Sequence, residues 1–432
     1  MREELLHFIW RFRYFNQHEL FTEAGEALQI LSPGEPNTHQ GPDFSHASVR
    51  IGGILHQGSV ELHVRASDWL RHTHDGDIHY RKVVLHVVWE NDIPAAPGGI
   101  PILVLRHRTA KLLLGQYQKM MDNQGFVPCE RSLQQVDDTV WAAWRRQLLL
   151  DRLMHRALFI RSCLEENRQH WEETTWWLLA RSMGQPVNGP AFEAIGRSLP
   201  TSLLARHRSE PIRLEALLLG QAGLLEGTFA EEHPRILQQE YRFCRSKYAL
   251  QPSRVPLSFL RMRPAHFPTV RLAQLAGLLA ATTGWFARIR EAQSPRDLVQ
   301  LLDIKATGSS PQPGPLSALP KPSSVLSRPT SSQTGRMGET IKKSILINAF
   351  IPLLFAYGWL RGEPAYCDKA LRWLEETGPE ANSVLAGWRR LGIVPANAAA
   401  SQALLELKKN HCDARKCLGC AVGQTLLGRS GA

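Results

Sequence analysis

The chain has 432 residues, 43% hydrophobic and 21% charged, a balance that excludes a disordered or fibrous protein and allows two or three globular domains. Lysine and arginine total 51 against 40 acidic residues, a formal charge of +11, which disfavours an acidic partner and fits an anionic one such as nucleic acid. Met-Arg-Glu-Glu is not a secretory start and seven cysteines is an odd number, so a disulfide framework is not expected and a reducing cytoplasm is.

Residues 3–21 place Leu5, Leu6, Ile9, Trp10 and Phe12 at helical spacing, with Glu3 and Glu4 in the first turn. A strand is predicted over 27–31, then turn residues over 32–37. Residues 44–51 alternate, and Gly52-Gly53 suits a tight hairpin. Over 57–65, Gln57, Ser59, Glu61, His63 and Arg65 face one way and Gly58, Val60, Leu62 and Val64 the other. A polar stretch follows, then a helical turn near Tyr80. Residues 83–89 are apolar except for His86, as in a strand covered on both faces. Residues 1–108 therefore form an α/β unit.

From 109 to 305 the spacing is helical, with helices predicted at 141–162, 174–183, 211–225, 233–248, 270–283 and 298–304. Residues 306–338 are rich in Pro, Ser and Gly and read as a flexible excursion. Helices resume at 339–359, 365–377, 381–391 and 401–410, so 339–432 continues the all-α domain and ends in a cysteine segment. The apolar run 345–360 contains Asn348 and Pro352, which predicts a buried helix and no membrane span.

Ten of the 17 histidines lie in the first 90 residues. Two carboxylates on adjacent strands, Asp43 and Glu61, are a minimal cradle for Mg²⁺. A two-residue Gly52-Gly53 turn pairs Ile51 with Ile54 and hence Asp43 with Leu62, which puts Asp43 and Glu61 on opposite faces. They share a face only with a longer turn or a β-bulge, and Gly58 is the candidate bulge. The bland alternative is a turn-capping Asp43 and a solvated strand face carrying Glu61 and His63.

Gly41-Pro42-Asp43-Phe44 followed by Glu61-Leu62-His63 resembles the PD-(D/E)xK nuclease superfamily, with His63 where its members usually carry Lys. The resemblance implies a restriction-endonuclease-like αβββαβ unit in which Asp43, Glu61 and the Leu62 carbonyl hold Mg²⁺ or Mn²⁺ and His63 activates water. A neutral imidazole at 63 suits a direct general base, or a third ligand that favours Mn²⁺ or Zn²⁺. Asp68, His72, His74 and Asp75 form a second polar group that extends the site or is a hydrogen-bonded loop. His86 is a core histidine or is aimed at the same pocket. The chain is also similar over nearly its whole length to a bacterial domain-of-unknown-function family (family 2851), through Gly-Pro-Asp-Phe at 41, Gly-Ser-Val-Glu-Leu-His at 58, Ser-Asp-Trp at 67, Leu-His-Val-Val at 85, Arg-Pro-Ala-His-Phe-Pro at 263 and Cys-Leu-Gly-Cys at 417.

Cys412, Cys417 and Cys420 are spaced x₄ and x₂, as in sites for Zn²⁺ or an iron–sulfur cluster, with Cys129 the preferred fourth ligand and His411 or Cys367 the alternatives. The other reading is reduced thiols. Arg145, Arg146, Arg152 and Arg156 beside Trp141 and Trp144, with Arg261, Arg263 and Arg271, are candidate phosphate contacts or helix surface. The sequence thus points first to a metal-dependent nuclease, next to a catalytically inactive nucleic-acid or protein interaction module, and then to a small-molecule phosphoesterase.

Overall fold

The computed structural model describes residues 1–37, 40–71, 78–95, 97–259, 267–303 and 337–428. Helix α1 (Glu3–Phe12) buries Leu5, Leu6, Phe8, Ile9 and Trp10. It stops well short of the predicted end at 21. Arg13 takes a left-handed conformation (φ 56°) and its N–H closes on the Ile9 and Trp10 carbonyls, which ends the helix and turns the chain into a strand.

The strands are β1 (Leu20–Phe21), β2 (Ala27–Ser32), β3 (Glu35–Pro36), β4 (Phe44–Ile51), β5 (Ile54–Arg65), β6 (Val83–Glu90) and β7 (Ile102–Val104). They form one mixed sheet in the order β1-β2-β4-β5-β6-β7, with β3 on β4. β4 and β5 are an antiparallel hairpin turned by Gly52 and Gly53, both at positive φ. β5, β6 and β7 run parallel. The β5–β6 crossover contains α2 (Asp68–Arg71) and a 3₁₀ turn (Ile78–Lys82). The expected order of helix, strands, helical turn and strand is present.

Two compact units divide the chain, and they do not follow its order. Unit 1 takes residues 1–146 and returns for 406–432; unit 2 takes residues 147–405. The continuation expected over 339–432 is therefore split at Glu406. The reason is packing: the C-terminal helix (Ala421–Gly428) lies against α3 (Lys111–Asp122) and the 3₁₀ turn Glu130–Gln135.

Among its described residues the regular elements of unit 2 are all helices. The predicted helices appear with shifted ends, among them α4 (Asp138–Glu166, shared with unit 1), Trp171–Met183, Pro211–Gln221, Glu232–Tyr248 and Pro268–Ala281. Gly189–Ser198, Thr201–Arg206 and Trp285–Glu291 were not predicted; they are short, and the first is interrupted in sequence by Gly and Pro. Trp373, Trp388, Phe192 and Phe350 are fully buried in this core, each contributing about 1.5–3 kcal/mol of apolar burial. The stretch Glu339–Arg361 is long and apolar enough to cross a membrane by length and composition, and 67% of its apolar window is buried inside the fold.

Candidate carboxylate and imidazole site

The register of the β4–β5 hairpin decides the chemistry. From the turn, Ile51 pairs with Ile54 and Ala47 with Gly58, but Phe44 pairs with Val60. One extra residue has entered β4 between Phe44 and Ala47, a bulge in which His46 sits at φ 56°. Continuing the shifted register by one residue puts Asp43 opposite Glu61, on the same face. The required bulge is present, but in β4 and not at Gly58. Glycine at 58 instead lets β5 and β6 close up, since a Cβ there would lie 2.3 Å from the Lys82 carbonyl oxygen.

Two backbone bonds lock the pair. The Asp43 N–H donates to Glu61 Oε2 at 3.0 Å, and the Leu62 N–H donates to Asp43 Oδ2 at 2.9 Å. On β6, His86 pairs with Glu61, so Asp43, Glu61 and His86 form a row across three strands, with His63 two positions along β5. His63 Nε2 lies 3.5 Å from Glu61 Oε1 and its Nδ1 is 2.9 Å from His86 Nε2. The Trp69 indole packs edge-on against His63 and tilted against His86.

This polar row is not a solvated strand face. Glu61 is 5% exposed, His63 1% and His86 fully buried. Burial first, and then the neighbouring Asp43 charge, push the Glu61 carboxyl up to about 8, so near neutrality it holds a proton in the absence of a cation. With Glu61 protonated, its proton points toward His63 Nε2 and His63 Nδ1–H donates to His86 Nε2; once Glu61 is ionised, His86 Nε2–H donates to His63 Nδ1 and His63 Nε2–H faces the carboxylate.

Helix α1 supplies a residue that sequence reasoning passed over. His7 Nε2 lies 3.4 Å from Asp43 Oδ2, and ligand atoms of Glu3, His7 and Asp43 all fall within 4.8 Å of one another. Burial pulls the His7 pKa down, but the Asp43 contact and the charges of Asp43, Glu3 and Glu4 outweigh it and leave it raised. The available signal was a Glu–His pair at i, i+4 on a helix that is otherwise apolar on its buried side. Side chains of His7 and Asp43 are 34% and 23% exposed, so this edge of the row meets solvent.

The remaining predicted residues are placed differently. Asp68 accepts from the Arg65 N–H and from Arg71 Nη1, as the start of α2. His72, His74, Asp75, Arg261 and Arg263 lie outside the described residues. Arg145 stacks over the Trp141 ring at 5.2 Å, with burial lowering its pKa. Arg146 is exposed, Arg156 is half-buried, Arg152 donates to Gln402 and the buried Arg271 donates to Gln274. Cys129, Cys417 and Cys420 are buried and Cys412 half-buried, all as free thiols.

An α/β unit with a mixed sheet and a buried carboxylate–imidazole row, joined in one chain to a helical unit, is the class these features define. The chain belongs to the family described as protein of unknown function (DUF2851), whose model matches residues 3–383. The match covers the whole row and ends before the C-terminal cysteines. Neither the curated proteins nor the solved structures provide a match.

Proposed function

We propose that the N-terminal unit is a divalent-metal-dependent phosphodiester hydrolase acting on nucleic acid, with Asp43 and Glu61 as its carboxylate ligands. The observation that carries this reading is the β4 bulge, which brings the two carboxylates opposite each other at a spacing the plain hairpin would forbid. The PD-(D/E)xK resemblance, the order of elements and the +11 charge support it.

Glu3, His7 and Asp43 are the group whose ligand atoms lie within 4.8 Å of one another, a mixed carboxylate–imidazole set that suits Mn²⁺ as well as Mg²⁺; Glu61 adjoins it through the Asp43 N–H, and the resemblance adds Glu61 and the Leu62 carbonyl as ligands. When bound, the cation supplies charge neutralisation at a phosphoryl oxygen. Asp43 and His7 form the edge where substrate arrives. Glu61 exchanges its proton with His63, which hands it to His86. His63, at 1% exposure, does not reach solvent, so it orients and charges Glu61 and does not take a proton from bulk water directly. A cytoplasmic setting fits the free thiols of this unit.

The test is cleavage of labelled single- and double-stranded DNA and RNA with Mg²⁺, Mn²⁺ or chelator. Metal-dependent cleavage that falls by ~10²-fold or more in Asp43→Asn and in Glu61→Gln, with folding intact, supports the proposal. Nucleic-acid binding that persists in both variants, with no cleavage by the parent protein at any metal, would instead identify an interaction module. The near-complete burial of Glu61 and His63 favours a second reading, hydrolysis of a small phosphoester; turnover of an aryl phosphodiester without nucleic-acid cleavage would select it.

A further inference from the structure

We propose that Cys129, Cys412, Cys417 and Cys420 bind one thiophilic metal centre as four thiolates, a structural clasp that ties the C-terminal segment of unit 1 to the loop after α3.

Two stretches almost 300 residues apart in sequence are fastened side by side. Arg415 donates to the Met121 and Asn123 carbonyls, the latter at 3.0 Å, and the Lys408 ammonium sits 4.9 Å over the Phe126 ring. Asn123 in turn donates to the Val127 and Pro128 carbonyls, shaping the loop that delivers Cys129 to the start of the 3₁₀ turn Glu130–Gln135. The C-terminal helix packs on that same turn.

Cys412 ends the π-helical turn Leu407–Cys412, and Cys417 and Cys420 flank a tight knuckle. Cys417–Gly419 is a 3₁₀ turn, and Gln424 Nε2 donates to the Leu418 carbonyl at 2.7 Å. A Cβ on Gly423 would lie 2.2 Å from the Cys417 carbonyl oxygen, so only glycine lets the knuckle fold back on the helix that follows it. All four are free thiols, Cys129, Cys417 and Cys420 buried and Cys412 half-buried.

Buried thiols stay protonated and neutral on their own, and a soft cation that displaces their protons converts them into thiolate ligands. Binding Zn²⁺ would release the thiol protons to solvent and leave a closed coordination shell with no position for substrate, the mark of a structural site. An iron–sulfur cluster assembled from iron and sulfide uses the same four thiolates. The sulfurs are not drawn together as closely as the ligand atoms of Glu3, His7 and Asp43; a single zinc, with Zn–S near ~2.3 Å, would pull them inward, whereas a cluster spans a wider set.

The full chain, purified without chelator and without oxygen, decides this by elemental and acid-labile sulfide analysis. The expected result is about one zinc per chain, or iron with matching sulfide, with an all-sulfur first shell by X-ray absorption. The signal should disappear equally in Cys129→Ser and Cys417→Ser. Protein that is folded and metal-free, or metal that persists undiminished in Cys129→Ser, would overturn the proposal. Because the X-ray absorption readout uses the unmodified protein, a variant that fails to fold does not blunt the test, and none of these readouts depends on cleavage by the carboxylate site.

Discussion

Unit 1 buries two polar clusters, and they meet the cost of burial in opposite ways. The row of Asp43, Glu61, His63 and His86 is internally compensated: backbone N–H groups reach both carboxylates and imidazoles chain away from Glu61. The thiols meet it by staying protonated: burial first, and then neighbouring cysteines, raise Cys129, Cys412 and Cys417. Hydrogen bonds fix the geometry of the first cluster, whereas neutral buried thiols do little to fix one another.

Stripping the thiol cluster should do the greatest damage. Structural zinc sites carry on the order of 10 kcal/mol of binding free energy in peptides, so chelation or Cys417→Ser should produce the largest drop in thermal midpoint, seen by calorimetry as early melting of unit 1. An unchanged midpoint would remove the contrast between the clusters.

The carboxylate row predicts a pH effect of definite sign. Glu61 is raised from 4.5 to about 8 in the folded chain, so the folded state holds its proton more tightly than the unfolded state does. That contribution is full below pH 4.5 and is lost as pH rises toward 8, by about 5 kcal/mol at most. Melting scans across pH 5–8 should show a midpoint that falls with pH, a slope that flattens in Glu61→Gln and is reduced by saturating Mn²⁺. A rising midpoint would contradict the protonated Glu61.

His7 tests whether the first helix belongs to the row. His7→Gln should weaken Mn²⁺ affinity by ~10-fold or more while leaving the melting curve nearly unchanged, as measured by titration calorimetry; equal affinity would confine the site to the sheet. The smallest effect should come from His46→Gly. His46 adopts φ 56° in the bulge, a conformation that costs about 1 kcal/mol outside glycine, so this change should raise stability slightly and preserve metal affinity.

Much of the sheet was legible because it follows period-2 alternation and because Gly52-Gly53 marks a tight hairpin. The pairing of Asp43 with Glu61 was legible only as a condition. Nothing in Phe44-Ser45-His46-Ala47 marks a bulge, since histidine is not a residue type that demands positive φ. Burial of Glu61 and His63 was hidden too, because strand alternation reports which residues share a face and not whether that face is covered. Helix α1 was overextended because Arg13 gives no stop signal of the glycine kind. Glu215, in an otherwise apolar helix, pairs with His233 at 3.6 Å, and that contact first of all raises the His233 pKa; the distance between them in sequence concealed the pairing.

The bulge in β4 is a vernier between two rulers of equal pitch. On the turn side of it the strands stay paired as a two-residue hairpin dictates, and on the far side every position is advanced by one. Removing a single residue between Phe44 and Ala47 would leave strand lengths, turn and composition almost intact, yet it would rotate Asp43 to the opposite face and leave Glu61 without its partner. Gain or loss of chemistry in this architecture thus needs no substitution at either carboxylate, only an insertion or deletion of one residue in the strand that carries the first of them.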